Sequence, residues 1–406
     1  MQGVYIMTEK IKYINDDKQY GIVYDWHLIF KAYRALKCPK DVYNPTTAPI
    51  SKAKIFVELS ERNIGKTTNW LLIGMIMNIM YGTIIQYVRQ REEMIMPKSM
   101  SDLFDTILKF DYVSKVTGGE YDSVFYKSRR YYYAKTDESG KVIDISPEPF
   151  MFCCCVEKAD MLKSSHNAPT GDLIIYDEFI GKYYYQNEFV HFCDLVKTII
   201  RGRRSPIVVM LANTINPNST YFNELEIFDR LQHMKTGEND IVTTAKGTNI
   251  YIEIIGTTTE KKRKNNIINQ LFFGFRNPLL ASITGEDSWA IDNYQHIPEV
   301  IEGEEEPEVI THSLYILHSN KLVRLDVVKH DTLGICIYTH WASRTYEDSY
   351  IMTVEFRFDK RYHNRLGNRK IESFLMKCFS ENRFYYASND VGAFVENYVQ
   401  NVCKTY

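Results

Sequence analysis

Ser60-Glu61-Arg62-Asn63-Ile64-Gly65-Lys66-Thr67-Thr68 is the stretch on which the reading of this chain turns. An apolar run, Ile55-Phe56-Val57-Glu58-Leu59, precedes it, and a long apolar segment, Trp70 to Met80, follows. Strand, tight loop and helix in that order is the context a phosphate-binding loop needs. Backbone N–H groups of the loop and of the helix N-terminus face the phosphates. Lys66 then reaches the β- and γ-phosphate oxygens of ATP, and the Thr67 hydroxyl holds Mg²⁺. The loop departs from G-x-x-x-x-G-K-[ST] at its first position, where Ser60 stands for Gly; Ser is small but disfavours positive φ, so the turn there must differ. A chance Gly-Lys-Thr in a turn is the plain alternative, and the strand before and helix after weigh against it.

A second stretch completes the site. Asp172-Leu173-Ile174-Ile175-Tyr176-Asp177-Glu178-Phe179 reads as a buried strand ending in two carboxylates. An acid at the tip of a strand next to the P-loop strand, here Asp177, can hold the water shell of Mg²⁺. A second acid one residue on, Glu178, can polarise the attacking water. Enzymes that only pass phosphate to another substrate do not need that second acid, so the pair points to hydrolysis coupled to motion. A strand ending in a solvated Asp-Glu turn would be the simpler reading without a P-loop upstream.

Composition bounds the rest. A chain of 406 residues predicts two or three domains. A net charge of −2 gives no overall bias towards nucleic acid, so any DNA contact must be local. The eight cysteines have no paired metal spacing. Cys153-Cys154-Cys155 lie in a strand-like run, where neighbours point to opposite faces and cannot all ligate one ion; buried reduced thiols are the preferred reading and suit a cytosolic protein. No signal peptide or 18-residue apolar span is found, and no membrane association is expected. The 30 tyrosines, clustered at Tyr131-Tyr132-Tyr133 and Tyr183-Tyr184-Tyr185, are divided between core and interfaces in a way the sequence does not resolve.

Taken in order, the chain predicts helices at 26–36, 66–80, 101–111 and 188–200, and strands at 55–59, 84–88, 150–156, 172–177 and 206–211. Gly82 reads as a helix C-cap. A polar hairpin, Ser123 to Lys135 and Val142 to Ile145, turns at Glu138-Ser139-Gly140. Alternating strands and helices predict a mostly parallel sheet with its ligand at the carboxyl edge. The P-loop, Arg89, Lys163, Asp177 and Asn213 all lie just after predicted strands. Past residue 230 the texture changes: a basic run at Lys261-Lys262-Arg263-Lys264, then an acidic loop, Glu302 to Glu308. Short strands at 313–318, 322–328, 333–339 and 350–358, with helices at 370–379 and 390–402, read as a small α+β domain. The expected division is an ATPase domain over 1–230, a lid or linker over 231–308 and a C-terminal domain over 309–406. A basic run from Arg357 to Lys370 suits phosphates or an acidic partner surface as well as a plain solvated face.

Ring ATPases hydrolyse at subunit boundaries, where a neighbour's arginine stabilises transition-state charge. Arg201-Gly202-Arg203-Arg204, at the end of the helix before the last core strand, is suitably placed; Arg201 is the first choice over Arg203 and Arg204, and helix-terminal arginines favoured by the macrodipole are the alternative. Asn213 could orient the catalytic water, and Lys163 is a second candidate for supplying charge.

These pieces together resemble the DNA-packaging ATPases of small, protein-primed tailed phages, relatives of large terminase subunits. The resemblance rests on Tyr43-Asn44-Pro45, Arg62 to Thr67, Tyr87-Val88-Arg89, Arg129-Arg130-Tyr131-Tyr132, Lys163-Ser164, Tyr176 to Ile180, Ile200 to Arg203 and Asn213 to Pro217, in order over residues 40–225; residues 230–406 match only loosely. It implies an α/β P-loop ATPase domain of the additional-strand, catalytic-glutamate class and a ribonuclease-H-like C-terminal domain. It implies that Tyr43 and Asn44 lie near the adenine, that Arg201 is a trans-acting finger and that Lys163 is its helper. It implies a ring of five copies at the portal of a procapsid, in the host cytoplasm, driving double-stranded DNA inside; a scaffold RNA stays open. A working nuclease is not expected, because Asp326, Asp331, Glu355 and Asp359 make no defensible metal cluster. Lys98, Lys127, Arg129, Arg130 and Lys182 are candidate DNA contacts. The rival readings are another nucleic-acid ATPase, such as a helicase or defence NTPase, and a portal-docking structural protein with a degenerate nucleotide site, for which Ser60 is the best argument.

Overall fold

A computed structural model of the chain describes residues 24–36, 53–60, 65–163, 171–180, 188–200, 206–213, 219–231, 233–235, 237–255, 294, 308–318, 321–330, 334–353, 359–363 and 369–402. In chain order the first part comprises α1 (Trp26–Ala35), β1 (Ile55–Ser60), α2 (Lys66–Tyr81), β2 (Ile85–Arg89), α3 (Pro97–Met100), α4 (Asp105–Lys109), α5 (Tyr112–Thr117), β3 (Ser123–Lys127), β4 (Arg130–Thr136), β5 (Val142–Ile145), β6 (Met151–Cys155), α6 (Ala159–Lys163), β7 (Leu173–Asp177), α7 (Glu188–Ile199), β8 (Ile207–Asn213), α8 (Thr220–Glu224), α9 (Phe228–Leu231), β9 (Asn239–Thr243) and β10 (Asn249–Ile255).

Ten strands form one sheet in the order β3-β4-β6-β2-β7-β8-β1-β10-β9, with β5 beside β4. Its six central strands run parallel, and the antiparallel pairs lie at the two edges. Near-continuous burial along β1, β2, β7 and β8 is what a parallel sheet covered on both faces requires. Alternation along each strand divides the core in two. Phe56, Tyr87, Ile175 and Val209 pack with α1, α2, α4 and α5 on one face. Val57, Leu59, Val88, Tyr176 and Met210 pack with α7, α8 and α9 on the other. The cysteine triplet obeys the same rule: Cys153 and Cys155 enter the first core and Cys154 the second, all as free thiols. Burial pushes the Cys155 thiol up to about 11.

Four sequence expectations need correcting. The acid-bearing strand β7 is not next to the P-loop strand β1; β8 lies between them, pairing with both. The sheet does not stop at residue 230, because β10 pairs in parallel with β1 from Ile55↔Ile250 to Ser60↔Ile255. Those residues read as linker because the turns around them are polar, yet Tyr251, Ile252 and Ile254 are wholly buried. The hairpin has an additional turn at Ser128-Arg129, both with positive φ (53° and 61°). Such a two-residue turn commonly carries Asn-Gly, and that signal is missing here. The helix expected over 101–111 shrinks to α4, Asp105–Lys109; Asp111, whose φ is 56°, then breaks the chain before α5 begins at Tyr112.

The C-terminal part comprises β11 (Glu308–His318), β12 (Lys321–His330), β13 (Gly334–Trp341), β14 (Tyr350–Thr353), β15 (Tyr362–His363), α10 (Arg369–Ser380), β16 (Phe384–Tyr386) and α11 (Asn389–Val402). Its six strands take the order β15-β14-β11-β12-β13-β16. β11, β12 and β13 form an antiparallel meander, and β14, β15 and β16 are added in parallel. Leu314, Ile316, Val323, Leu325 and Ile337 pack under Leu375 and Cys378 of α10 and Phe394, Val395 and Tyr398 of α11. Of the strand expected at 350–358, residues 354–358 lie outside the described residues. The small β15 and β16 were not anticipated: two- and three-residue strands carry too little alternation to be read.

Candidate nucleotide site

The site grows from the junction of β1 and α2. β1 delivers Ser60 to the carboxyl edge of the sheet, and Gly65 turns the chain into α2 with φ 90°, a left-handed conformation that glycine adopts without strain. Gly74 then lets α2 lie close on the sheet: a Cβ there would come within 2.6 Å of Ile85 Cδ1. Lys66, at the first position of α2, is buried. Its ammonium donates to the Ser60 hydroxyl and, at 3.4 Å, to Asn213 Oδ1. Asn213 is brought there because β8 pairs with β1 so that Ser60 and Asn213 are opposite each other.

The two carboxylates end β7. Thr67 Oγ1 donates to Asp177 Oδ1 at 3.0 Å. Tyr87 Oη donates to Asp177 Oδ2 at 2.6 Å. Arg89, at the tip of β2, lies 3.4 Å from Asp177 Oδ2 and 2.5 Å from Glu178 Oε2. This guanidinium was noticed in the sequence only as a strand-end charge; parallel pairing of β2 with β7 is what puts it across both acids. Burial would lower the arginine's pKa, but Tyr87, Asp177 and Glu178 outweigh it and push it up. Burial first, then the Asp177 charge, pushes the Tyr87 phenol well up, so it stays a donor. Glu178 has φ 52°, an uncommon value for a non-glycine residue, and its side chain is about half exposed.

Behind the acids is a second buried carboxylate that the sequence reading did not single out. Glu188, the first residue of α7, is wholly buried. It accepts from Gln90 Nε2 at 2.7 Å, Tyr221 Oη at 2.9 Å and Tyr176 Oη at 3.2 Å. Gln90 follows Arg89 and Tyr176 precedes Asp177, so Glu188 ties together the ends of both strands that carry the site.

The structure thus brings Ser60, Gly65, Lys66, Thr67, Asp177, Glu178 and Asn213 to one edge. Thr68 follows in the first turn of α2. Lys163 closes α6. Glu61, Arg62, Asn63, Ile64, Tyr43, Asn44, Arg201, Arg203, Arg204 and Lys182 lie outside the described residues. Of the proposed DNA contacts, Lys98 and Lys127 are exposed. Arg129 and Arg130 are engaged within the chain, by Glu92 and by the Phe152 ring at 5.2 Å. Asp326 is buried and held by Arg324 at 2.9 Å and His340 at 3.0 Å. Asp359 pairs with Arg361 at 2.6 Å, and Asp331 and Glu355 lie outside the described residues. Among the described residues no group of three or more His, Cys, Asp or Glu is placed to hold a metal.

Gly65 opening α2 after β1, with β8 added between β1 and the acid-bearing β7, defines the class: a mixed α/β fold on a mostly parallel sheet with a strand inserted between the two that carry the candidate site. No family model matches the chain, and no curated protein matches it. Solved structures do. The phage Phi-28 gp11 DNA packaging motor matches with a TM-score of 0.52 at 15% identity, covering 92% of this chain and 98% of that one. The bacteriophage Phi-29 viral genome packaging motor assembly matches with a TM-score of 0.53 at 15% identity, covering 88% of this chain and 98% of that one. The likeness spans both sheets, so the chain shares the fold of these motor proteins over nearly their whole length.

Proposed function

We propose that this chain is an ATP-driven translocase that moves double-stranded viral DNA into a procapsid through its portal. The observation that carries the proposal is the convergence of Lys66, Thr67, Asp177, Glu178 and Asn213 on one edge of a fold shared with packaging motors. Lys66 exchanges its Ser60 and Asn213 partners for phosphate oxygens. Thr67 and Asp177 present two hard oxygens 3.0 Å apart, the donor type Mg²⁺ takes, and would hold the ion directly or through its water. Mg²⁺ there supplies charge neutralisation on the β- and γ-phosphates. Glu178 activates water once it is out of its pairing with Arg89, and Asn213 orients that water.

Arg201 of a neighbouring copy completes the site in a ring, with Lys163 as helper and five copies as the expected number. Tyr43 and Asn44 contact the base. A ribonuclease-H-like reading of residues 309–406 is supported by the antiparallel three-strand meander with two strands added in parallel beside its first strand. Asp326 there is paired with Arg324 and lies 3.0 Å from His340, which favours a binding role over cleavage. No helix among the described residues is long and apolar enough to cross a membrane. Action at the portal vertex, from the host cytoplasm, follows from the proposal.

ATP hydrolysis by the purified protein, with and without double-stranded DNA and across protein concentration, tests this. Turnover should rise with DNA and faster than linearly with protein, and the stimulation should fall with salt because phosphate contacts release counterions. Turnover indifferent to both would overturn the packaging role and leave a self-sufficient P-loop enzyme. Preference for single strands, or strand separation, would favour a helicase instead.

A further inference from the structure

Glu58, two residues before Ser60, is fully buried on the same face of β1. Its Oε1 accepts from Trp70 Nε1 at 2.9 Å, and its Oε2 has no hydrogen-bond partner among the described residues. Trp70 and Lys66 are four apart on α2 and so share one side of that helix. The Lys66 ammonium lies at Ser60, one step along the same strand face. On the other side β10 sets Glu253 opposite Glu58 in register, and the Tyr251 hydroxyl donates to Glu253 at 2.8 Å. From β8 the residue opposite is the apolar Leu211. A buried carboxyl therefore sits between the phosphate-binding lysine and a second carboxylate, with one oxygen unsatisfied, and no step of the hydrolysis uses it.

We propose that Glu58 is a positioning residue for Lys66: uncharged, it leaves the lysine to the nucleotide phosphates; ionised, it draws the lysine back, so that nucleotide binding is coupled to proton uptake at this carboxyl. The inference rests on the nucleotide-site reading above. Burial and the Glu253 charge push Glu58 up to about 8, against the Trp70 hydrogen bond and the Lys66 charge. When Lys66 turns to the phosphates, the ionised form loses that lysine and gains anionic neighbours. The pKa in the bound state is then higher than in the free protein. The bound state holds more protons, so affinity is greatest below the free-protein pKa and falls as pH rises through it. One linked proton corresponds to about tenfold per pH unit.

The test measures the dissociation constant of ADP, with Mg²⁺ in excess, for the full chain between pH 7 and 9.5. The wild type should hold its affinity up to about pH 8 and then lose about tenfold per unit, with proton uptake seen by calorimetry in buffers of different ionisation heat. Glu58→Gln should keep the neutral-pH affinity and flatten the profile. Glu253→Gln, which leaves Glu58 in place, should move the fall to lower pH and serves where Glu58→Gln does not fold. Equal profiles in wild type and Glu58→Gln, or an unmoved fall in Glu253→Gln, would overturn the inference while leaving the site intact. No ADP binding by the wild type at any pH would instead overturn the nucleotide site, and the inference with it.

Discussion

Asp177 and Asp326 are both buried aspartates on strands, each beside an arginine, and they sit in entirely different circumstances. Asp326 lies within β12, and its Oδ2 is met by Arg324 of the same strand and His340 of the next. Asp177 ends β7 at the carboxyl edge, and its partners come from α2 and β2: Thr67, Tyr87 and Arg89. A carboxylate in the middle of a strand, held by an arginine of that strand and a histidine of the next, is a structural contact. A carboxylate at a sheet edge, facing a helix N-terminus and a glycine turn, is where a charged ligand can enter. The contrast lies in the neighbours, not in the residue.

The largest effect expected from this contrast is in turnover. Glu178→Gln keeps the shape and removes the group proposed to activate water, and should lower kcat by about 10²–10⁴. Asp326→Asn should leave ATP turnover within about twofold, since Arg324 and His340, which hold Asp326, are on β12 and β13 of the C-terminal sheet. Steady-state hydrolysis of both variants checks this. Comparable losses in the two would mean that the C-terminal ion pair belongs to the working site.

The second effect is in stability against pH. Glu58 rises from an ordinary 4.5 to about 8 on folding. The folded state therefore holds more protons than the unfolded state in that window. Stability is fully present below about pH 4.5 and is lost as pH rises towards 8. The span corresponds to an upper figure of roughly 4–5 kcal/mol, at about 1.4 kcal/mol per unit. Melting temperature compared at pH 5.5 and 8 should drop markedly in the wild type, and by less in Glu58→Gln. An equal drop in both would show that Glu58 is not the group responsible.

Third comes the arginine of each pair. Arg89→Ala leaves Asp177 and Tyr87 buried without their cation, and should cost about 3 kcal/mol together with a loss of turnover. Arg324→Ala leaves His340 still beside Asp326 and should cost only about 1 kcal/mol. Urea unfolding of both, followed by a hydrolysis assay, separates them. A larger cost at Arg324 would reverse the ranking of the two sites.

Much of the candidate nucleotide site was legible because its chemistry is local in sequence. Gly65-Lys66-Thr67 and Asp177-Glu178 each carry their own strand context, and Asn213 ends a run that is plainly buried. Arg89 was visible as a charge at a strand end, but its partners depend on β2 lying beside β7, which no local pattern encodes. Glu58 was hidden for a different reason. A single acid in an apolar run reads as one outward-facing residue, and only pairing with β10, in a stretch that reads as linker, buries it opposite Glu253. Glu188 failed similarly, since an acid at a helix start is ordinarily a solvated first-turn charge. In the C-terminal part the long strands were readable and the short added ones were not.

The smallest effect concerns how closely each sheet is covered. α2 can bring Lys66 and Thr67 to the edge only if it lies close on β2 and β7, and Gly74 is the residue at that contact. A Cβ there would meet Ile85 Cδ1 at 2.6 Å, Ile85 Cγ1 at 2.9 Å and Leu173 Cδ2 at 3.1 Å. The first of these atoms is the end of a side chain, but Ile85 and Leu173 are both wholly buried, so neither has room to yield freely. Overpacking at such a site costs about 1–3 kcal/mol, and alanine returns about 1 kcal/mol through its better helix propensity. Gly74→Ala should therefore destabilise by about 1 kcal/mol, a fall of roughly 2–4 °C in melting temperature. The informative readout is ADP affinity at a temperature where the variant is folded. If α2 is lifted from the sheet, Lys66 and Thr67 move with it, and binding should weaken by more than the stability loss alone accounts for. Unchanged affinity would mean that Ile85 absorbs the methyl, and that the phosphate edge is held by Ser60, Asp177 and Asn213 rather than by the seat of the helix.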